Sequence, residues 1–365
     1  MEFSIKDELR AAVELNSNGK ETVIYDVYGN PNIMVRFDAY NEKFVGLAED
    51  KIHPAFIIDN KGTTVSEIWV SKYINAQGSN DVAISWHGTR PWSYCGFEGA
   101  VTASEKKGKG WHLMTNLEWS AIALWSWKMG HSKQGFNHDN KAALTSRHIF
   151  RDEKSPSGDV HSWYTAYNEP GDPSQSHDGS IYGIFDMNGN YRQYVDGVRV
   201  GPGFERIHYW GNPETDEITN CFEEKTYICN DIVYDAFNQL DGNTGRDPRV
   251  KKQGGDEKNL IIDFRFRDLV IRHSAPDDNV NPGVPEKYDN RLRELLLAPL
   301  PAMGEEVTGG VAYDTIIDND DVRVIDRGTD MKDKFGDADM FNMRANTRLE
   351  IYSSAAFRSV YISKK

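Results

Sequence analysis

A chain of 365 residues has ample length to bury a sizeable core, as one large domain or two modest ones. Its 56 acidic against 42 basic side chains leave a formal net charge of −14, a field that repels a phosphate backbone and argues against nucleic acid as a partner. No apolar run approaches the roughly 20 residues a bilayer span needs, and the opening MEFSIKDELRAAVEL mixes acids into its apolar residues, unlike a signal peptide. Synthesis in the cytoplasm without membrane insertion is the expectation.

Ser4 and Asp7 offer a cap pair for an amphipathic helix with Ile5, Leu9, Val13 and Leu15 at its apolar positions, ending near Asn18-Gly19. Glu21 to Tyr40 holds two β-rich runs around Gly29-Asn30-Pro31, a hairpin signal. Ala55 to Ala76 again divides into two strands, around Asn60-Lys61-Gly62, and Phe97 to Lys107 reads as a short helix. Thr115 with Glu118 three residues on is a capping box, in which each side chain satisfies a free amide of the other's turn. Leu117, Trp119, Ala121, Ile122, Ala123, Leu124, Trp125 and Met129 make the helix that follows apolar nearly all round, and Gly130 stops it. Such a helix must be buried, and Trp119, Trp125 and Trp127 can each bury on the order of 200 Å².

From His131 to Ser180 periodicity is lost and a long loop is expected. Strands are predicted at Tyr182–Asp186 and Tyr191–Val195, around Met187-Asn188-Gly189-Asn190. Asn238 to Gly255 reads as a polar surface excursion, Asn259 to His273 as a strand pair or irregular insertion, and Arg291 to Leu297 as a helix stopped by Pro299 and Pro301. Aromatic content of 12% with 31 glycines suits a loop-rich fold of short strands.

Catalytic signatures are sparse. There is no Gly-x-Ser-x-Gly elbow, phosphate loop or dinucleotide fingerprint. Cys95, Cys221 and Cys229 are odd in number and lack metal-ligand spacing, so they read as free thiols of a reducing compartment. His131, His138, His161 and His177 share no helical face and suit ordinary donor roles better than zinc. Glu223 and Glu224 would point apart on a strand. Asp314, Asp318, Asn319, Asp320 and Asp321 offer hard oxygens, which leaves calcium the one cofactor open. The cluster lacks EF-hand spacing, and a solvated acidic face is the plainer reading. Asn168-Glu169-Pro170 is a scrambled echo of the Glu-Pro-Asn phrase of calcium lectins.

GWHLMTNLEWSAIALW, Gly110 to Trp125, resembles the threonine-capped helix of C-type-lectin-fold proteins of the formylglycine-generating-enzyme type. IFDMNGNYRQYVDG, Ile184 to Gly197, is similar to that family's Asp-Met-Asn-Gly-Asn hairpin, with Tyr191 to Tyr194 where Val-Trp-Glu-Trp is usual. Arg327-Gly328, followed by Thr329 in place of a second glycine, and AAFRSVYI, Ala355 to Ile362, resemble its arginine-glycine turn and closing strand. The resemblance implies an α+β fold with short mixed and antiparallel sheets, two core helices and long loops. Residues 1–50 would form a small helix-and-hairpin element. Residues 51–365 would form the lectin-fold domain, with an insertion at about 238–300.

Within that fold, HPAFIIDNKGTTVSEIWVSKYINA, RLRELLLAP and the RG…MFNMRANT…AAFR stretch resemble variable proteins of diversity-generating retroelements. The resemblance implies a non-enzymatic protein that binds a protein or glycan on a host or target surface through a variable region at about 327–358. It would be displayed on a surface or a virion, with virion assembly partners. Adenine substitution in asparagine codons cannot yield Met, Lys, Glu, Gln or Trp, so Met331, Lys332, Lys334, Met340, Met343 and Glu350 would be fixed. The ligand-binding set would come from Thr329, Asp330, Asp333, Phe335, Asp337, Asp339, Asn342, Arg344, Asn346, Thr347, Arg348, Ile351, Tyr352 and Ser353. Tyr352 and Phe335 give rigid contact area, and Arg344 and Arg348 give forked donors. From residue types alone, the same stretch is a solvated strand and turn. The family's enzymes hold copper on two C-terminal cysteines, whereas no cysteine follows Cys229. A relative of those oxidases with a lost or relocated metal, and a calcium-dependent lectin, are the alternatives.

Overall fold

The structure is a computed structural model, described over residues 5–58, 63–132, 135–136, 145–152, 163–200, 226–230, 260–264, 293–296, 300, 323–331, 340–341, 343–347 and 355–363. Helix α1 (Ile5–Asn16) ends where Asn18 and Gly19 turn left-handed, at φ 51° and 74°. Leu9 and Val13 are half-buried, but Leu15 is 83% exposed and is not part of the apolar face. It follows Val13 by two residues, about 200° round the helix.

The predicted hairpin is present as β1 (Glu21–Tyr25) and β2 (Pro31–Asp38), in register from Glu21↔Val35 to Tyr25↔Pro31. Asp26 shapes its turn, its carboxylate accepting from the amides of Tyr28 and Asn30 at 2.9 Å each. Pro31 stands at the first position of its strand, where a missing amide costs least. After α2 (Glu42–Val45) the second predicted hairpin is only half present. Pro54–Phe56 forms a 3₁₀ turn, in which the His53 ring nitrogen accepts from the Ala55 amide, and Ile57 meets Thr64 in one isolated bridge. β3 (Glu67–Ser71) is the strand that forms.

Short strands β4 (Ala76–Gln77) and β5 (Ala83–Ile84) pair with each other and lead to α3 (Phe97–Glu105), β6 (Trp111–Leu113) and α4 (Asn116–Lys128). The long loop expected after His131 contains a hairpin, β7 (Ile149–Asp152) with β8 (Trp163–Ala166). Of the two strands predicted around Met187 to Asn190, β9 (Arg192–Val200) forms and Tyr182–Asp186 does not. The Phe185 amide bonds Lys72 O at 3.0 Å, and Asp186 turns left-handed at φ 61°, which directs the chain away from a hairpin with β9.

β10 (Thr226–Asn230), β11 (Leu260–Phe264), β12 (Arg323–Arg327), β13 (Met343–Thr347), β14 (Ala355–Phe357) and β15 (Ser359–Tyr361) complete the elements. β11 falls within the predicted Asn259–His273 segment, and the excursion from Asn238 to Gly255 lies outside the described residues. Within the expected Arg291–Leu297 helix, Arg293 and Glu294 are helical and the chain leaves through a turn at Leu295 and Leu296, the latter at φ 50°; residues 291–292 and 297–299 lie outside the described residues.

The strands make two principal sheets, β1-β2-β3-β15-β6 and β11-β10-β9-β12-β13, with β14 parallel to β9. The chain is therefore mixed α+β, with short sheets and few helices. Its last strand lies between β3 and β6, in the same sheet as the first hairpin. Among the described residues, no helix is long and apolar enough to cross a membrane.

α4 sits in the larger apolar core. Thr115 Oγ1 accepts from the Glu118 amide at 3.2 Å while Glu118 Oε2 accepts from the Thr115 amide at 2.8 Å, closing the predicted box. Its other carboxylate oxygen meets His112 Nε2 at 2.7 Å. Trp119, Ile122 and Leu124 are fully buried against Val35, Ile68, Val70, Val195, Ile325 and Val360, whereas Trp125 and Trp127 are only partly covered. α3 serves a second core with Tyr194, Val324 and Phe357.

Candidate functional site

The residues predicted to contact a ligand fall between points where the backbone is fixed by buried side chains. Arg327, the last residue of β12, is fully buried. Its Nε donates to Asn116 Oδ1 at 2.8 Å, Nη1 to Phe341 O at 3.0 Å, and Nη2 to Leu295 O and Leu296 O at 2.9 and 3.2 Å. A planar fork of donors suits this gathering of oxygens from three separate stretches. Trp119 adds a second bond to the same segment, its indole donating to Met340 O at 2.8 Å. Met340 and Phe341 are themselves buried, in accord with the expectation that Met340 is a packed position.

Gly328 turns left-handed at φ 75°. A Cβ there would lie 2.6 Å from Met187 O and 3.3 Å from the Trp119 ring, so the arginine-glycine pair carries the chain over the tryptophan with no room for a side chain. Thr329 follows, fully buried, donating to Asn188 Oδ1 at 2.6 Å and accepting from the Gly189 amide at 2.9 Å. This corrects the sequence reading of Thr329 as a ligand contact: its hydroxyl locks the Asn188-Gly189 turn and is shielded from solvent. Asp330, 8% exposed, is likewise an inside position, as is Met331 at 3%.

Of the remaining candidates, Arg344, Asn346 and Thr347 lie on β13, in register with Asp326, Val324 and Arg323. Asp333, Phe335, Asp337, Asp339, Asn342, Arg348, Ile351, Tyr352 and Ser353 lie outside the described residues. The stretch ends in buried framework, at Ala355, Ala356, Phe357 and Arg358. Arg358 donates to Gln193 Oε1 at 3.1 Å, to Phe185 O at 2.6 Å and to Ser71 O at 2.5 Å, and burial lowers its pKa to about 9.

The turn between Asp186 and Asn190 is held as firmly. Arg147 makes two bonds to the Asp186 carboxylate, at 2.5 and 2.7 Å, and one to Tyr167 O at 2.7 Å. Nothing in the spacing of Arg147, which stands in a non-periodic stretch, marks it as this partner. His177, read as an ordinary donor or acceptor, accepts from the Ile184 amide at 2.9 Å through Nδ1, and burial lowers its pKa to about 4. Asn168 is internal, its amide donating to Ile74 O at 2.8 Å, and Glu169 bonds the ring of His148.

Among the described residues one set of three carboxylates converges, at Glu42, Glu49 and Glu294. The Lys51 ammonium lies among them, 2.7 Å from Glu49, 2.9 Å from Glu294 and 3.8 Å from Glu42. The acidic run from Asp314 to Asp321, together with His138, His161, Cys221 and Glu223-Glu224, lies outside the described residues. Cys95 is half-buried, and burial pushes its thiol up to about 12, away from thiolate chemistry. The sequence matches no protein-family model and no curated protein.

Proposed function

We propose that this is a non-enzymatic binding protein whose contacts are carried by side chains between Asp333 and Ser353, on a scaffold of the C-type-lectin type. In this reading it resembles the variable proteins of diversity-generating retroelements, and the partner is a protein or glycan on a host or target surface. One observation carries the reading. The framework grips the segment by its main chain, through the carbonyls of Met340 and Phe341. Main-chain oxygens are present whatever residue occupies a position, so side chains along the stretch can change while those bonds remain. A main chain held at Met340 and Phe341 also lowers the ordering cost of binding. Surface display, virion association and an adenine-diversified origin belong to the same proposal.

The test begins with the DNA beside the gene. A near-copy of the segment encoding Thr329 to Ser354, differing only at adenines and lying next to a reverse-transcriptase gene, is the expected finding. Its absence removes the diversification reading. A separate arm replaces Tyr352 and Arg344 together by alanine and measures capture of cells or surface fractions of the host. Unchanged capture would remove the assignment of binding to this stretch.

A further inference from the structure

The Arg293–Leu296 turn receives polar contacts from three separate parts of the chain: α4, the end of β12 and Lys51. Asn116 Nδ2 donates to Leu295 O at 2.9 Å, and the Ser120 hydroxyl bonds Glu294 O. Arg327 donates to Leu295 O and Leu296 O, and Lys51 pairs with the Glu294 carboxylate. Leu295, Leu296 and Leu300 then bury their side chains in the core that surrounds α4. Burial alone would lower the Lys51 pKa, but its bonds to Glu49 and Glu294 outweigh that and raise it, as befits a lysine whose charge is held by carboxylates. The guanidinium that binds this turn also binds Phe341 O, immediately before β13.

We propose that the turn is a latch through which the Lys51 cluster near the N-terminal hairpin sets the position of the Met340–Phe341 anchor, with Arg327 as the positioning residue between them. When the turn shifts, the two carbonyls of Leu295 and Leu296 that hold Nη2 move with it, and the guanidinium that donates to Phe341 O is displaced. The link itself is independent of the proposed binding function. That function supplies only the consequence, that a looser anchor weakens contacts made by the neighbouring stretch.

The experiment is amide hydrogen exchange on the full chain, comparing the parent with Lys51→Met and, as a milder second variant, Ser120→Ala. Neither substitution touches β13. The expected result is exchange faster by roughly three- to tenfold across Met343–Thr347, with α3 and β4–β5 unchanged. Faster exchange confined to residues 40–52 and 293–296 would overturn the coupling. So would a uniform rise over the whole chain, which marks general loss of stability. Because exchange needs no ligand, failure here is distinct from failure of the binding proposal, which rests on capture by the Tyr352 and Arg344 double variant.

Discussion

Thr329→Val separates a framework role from a contact role. Valine has nearly the shape of threonine, so little packing is lost. The hydroxyl disappears, and with it the bond to Asn188 Oδ1 at 2.6 Å and the bond from the Gly189 amide at 2.9 Å. Both partners are buried, Asn188 fully so, and a buried group left without a partner costs about 1–3 kcal/mol. Two such groups, sharing some relaxation, give a loss of about 2–4 kcal/mol. At roughly 2 °C per kcal/mol for a chain of this size, Tm should fall by about 4–8 °C. Thr329→Ser keeps the hydroxyl and loses one methyl, which costs about 1 kcal/mol. Chemical denaturation of the three proteins, with slopes compared, is the assay. If Thr329→Val matches the parent within about 0.5 kcal/mol, the residue is not the lock described above, and its place among the ligand contacts is restored.

Three further perturbations test other parts of the framework. Gly189→Ala places a methyl 2.2 Å from Phe136 O at a residue with φ 81°, so the turn must open. Thermal melts should show a loss above about 3 kcal/mol, larger than for Gly19→Ala, where nothing lies within 4 Å. Lys107 is fully buried, donating to Asn32 Oδ1 and Ser359 Oγ at 2.8 Å each and lying over the Trp111 ring. Burial, which outweighs the opposing charge of Asp26, drives its pKa well below the ordinary value. The unfolded chain then binds the extra proton between the folded pKa and about 10.4, so stability rises with pH through that window. Lys107→Met should flatten the rise, and an identical pH slope in denaturation would refute it. His177, with a folded pKa of about 4, gives the same sign in acid: stability is lost as pH falls from about 6.5 to 4, by about 3 kcal/mol. In His177→Gln that segment of the acid denaturation curve should shrink.

What was legible in the sequence is what short-range chemistry dictates. The Thr115–Glu118 box, the turn at Asp26 to Pro31 and the stop at Gly130 each rest on residues within a few positions of one another. The helix buried on nearly every side could be read because no polar face was available to meet water. The strand expected at Tyr182–Asp186 failed because the amides of Tyr182 and Gly183 turn back onto Ser180 and that of Ile184 onto His177, while the Phe185 amide reaches Lys72 O, a partner that no local pattern announces. Arg147 was missed because its acceptors, the Asp186 carboxylate and Tyr167 O, stand far along the chain, and an arginine in a loop looks solvated until they are known. The hairpin inside the expected loop, β7 with β8, was hidden by the polar residues between its strands.

Thr329 shows that a residue can pass a sequence filter and still lie inside the fold. The genetic-code argument asks which residues mutagenesis could produce, and threonine passes. It does not ask where the side chain lies. The structure answers that with two bonds into the Asn188-Gly189 turn, while the candidate positions on β13 begin beyond the carbonyls that Trp119 and Arg327 hold. Chemistry of variation and geometry of support are therefore separate filters, and a contact residue has to pass both. The physical division is one of burial: Thr329, Asp330, Met331, Met340 and Phe341 are internal. On that criterion the proposed contact segment would start after Met331, and the part of Trp119 in it would be to fix Met340 in place.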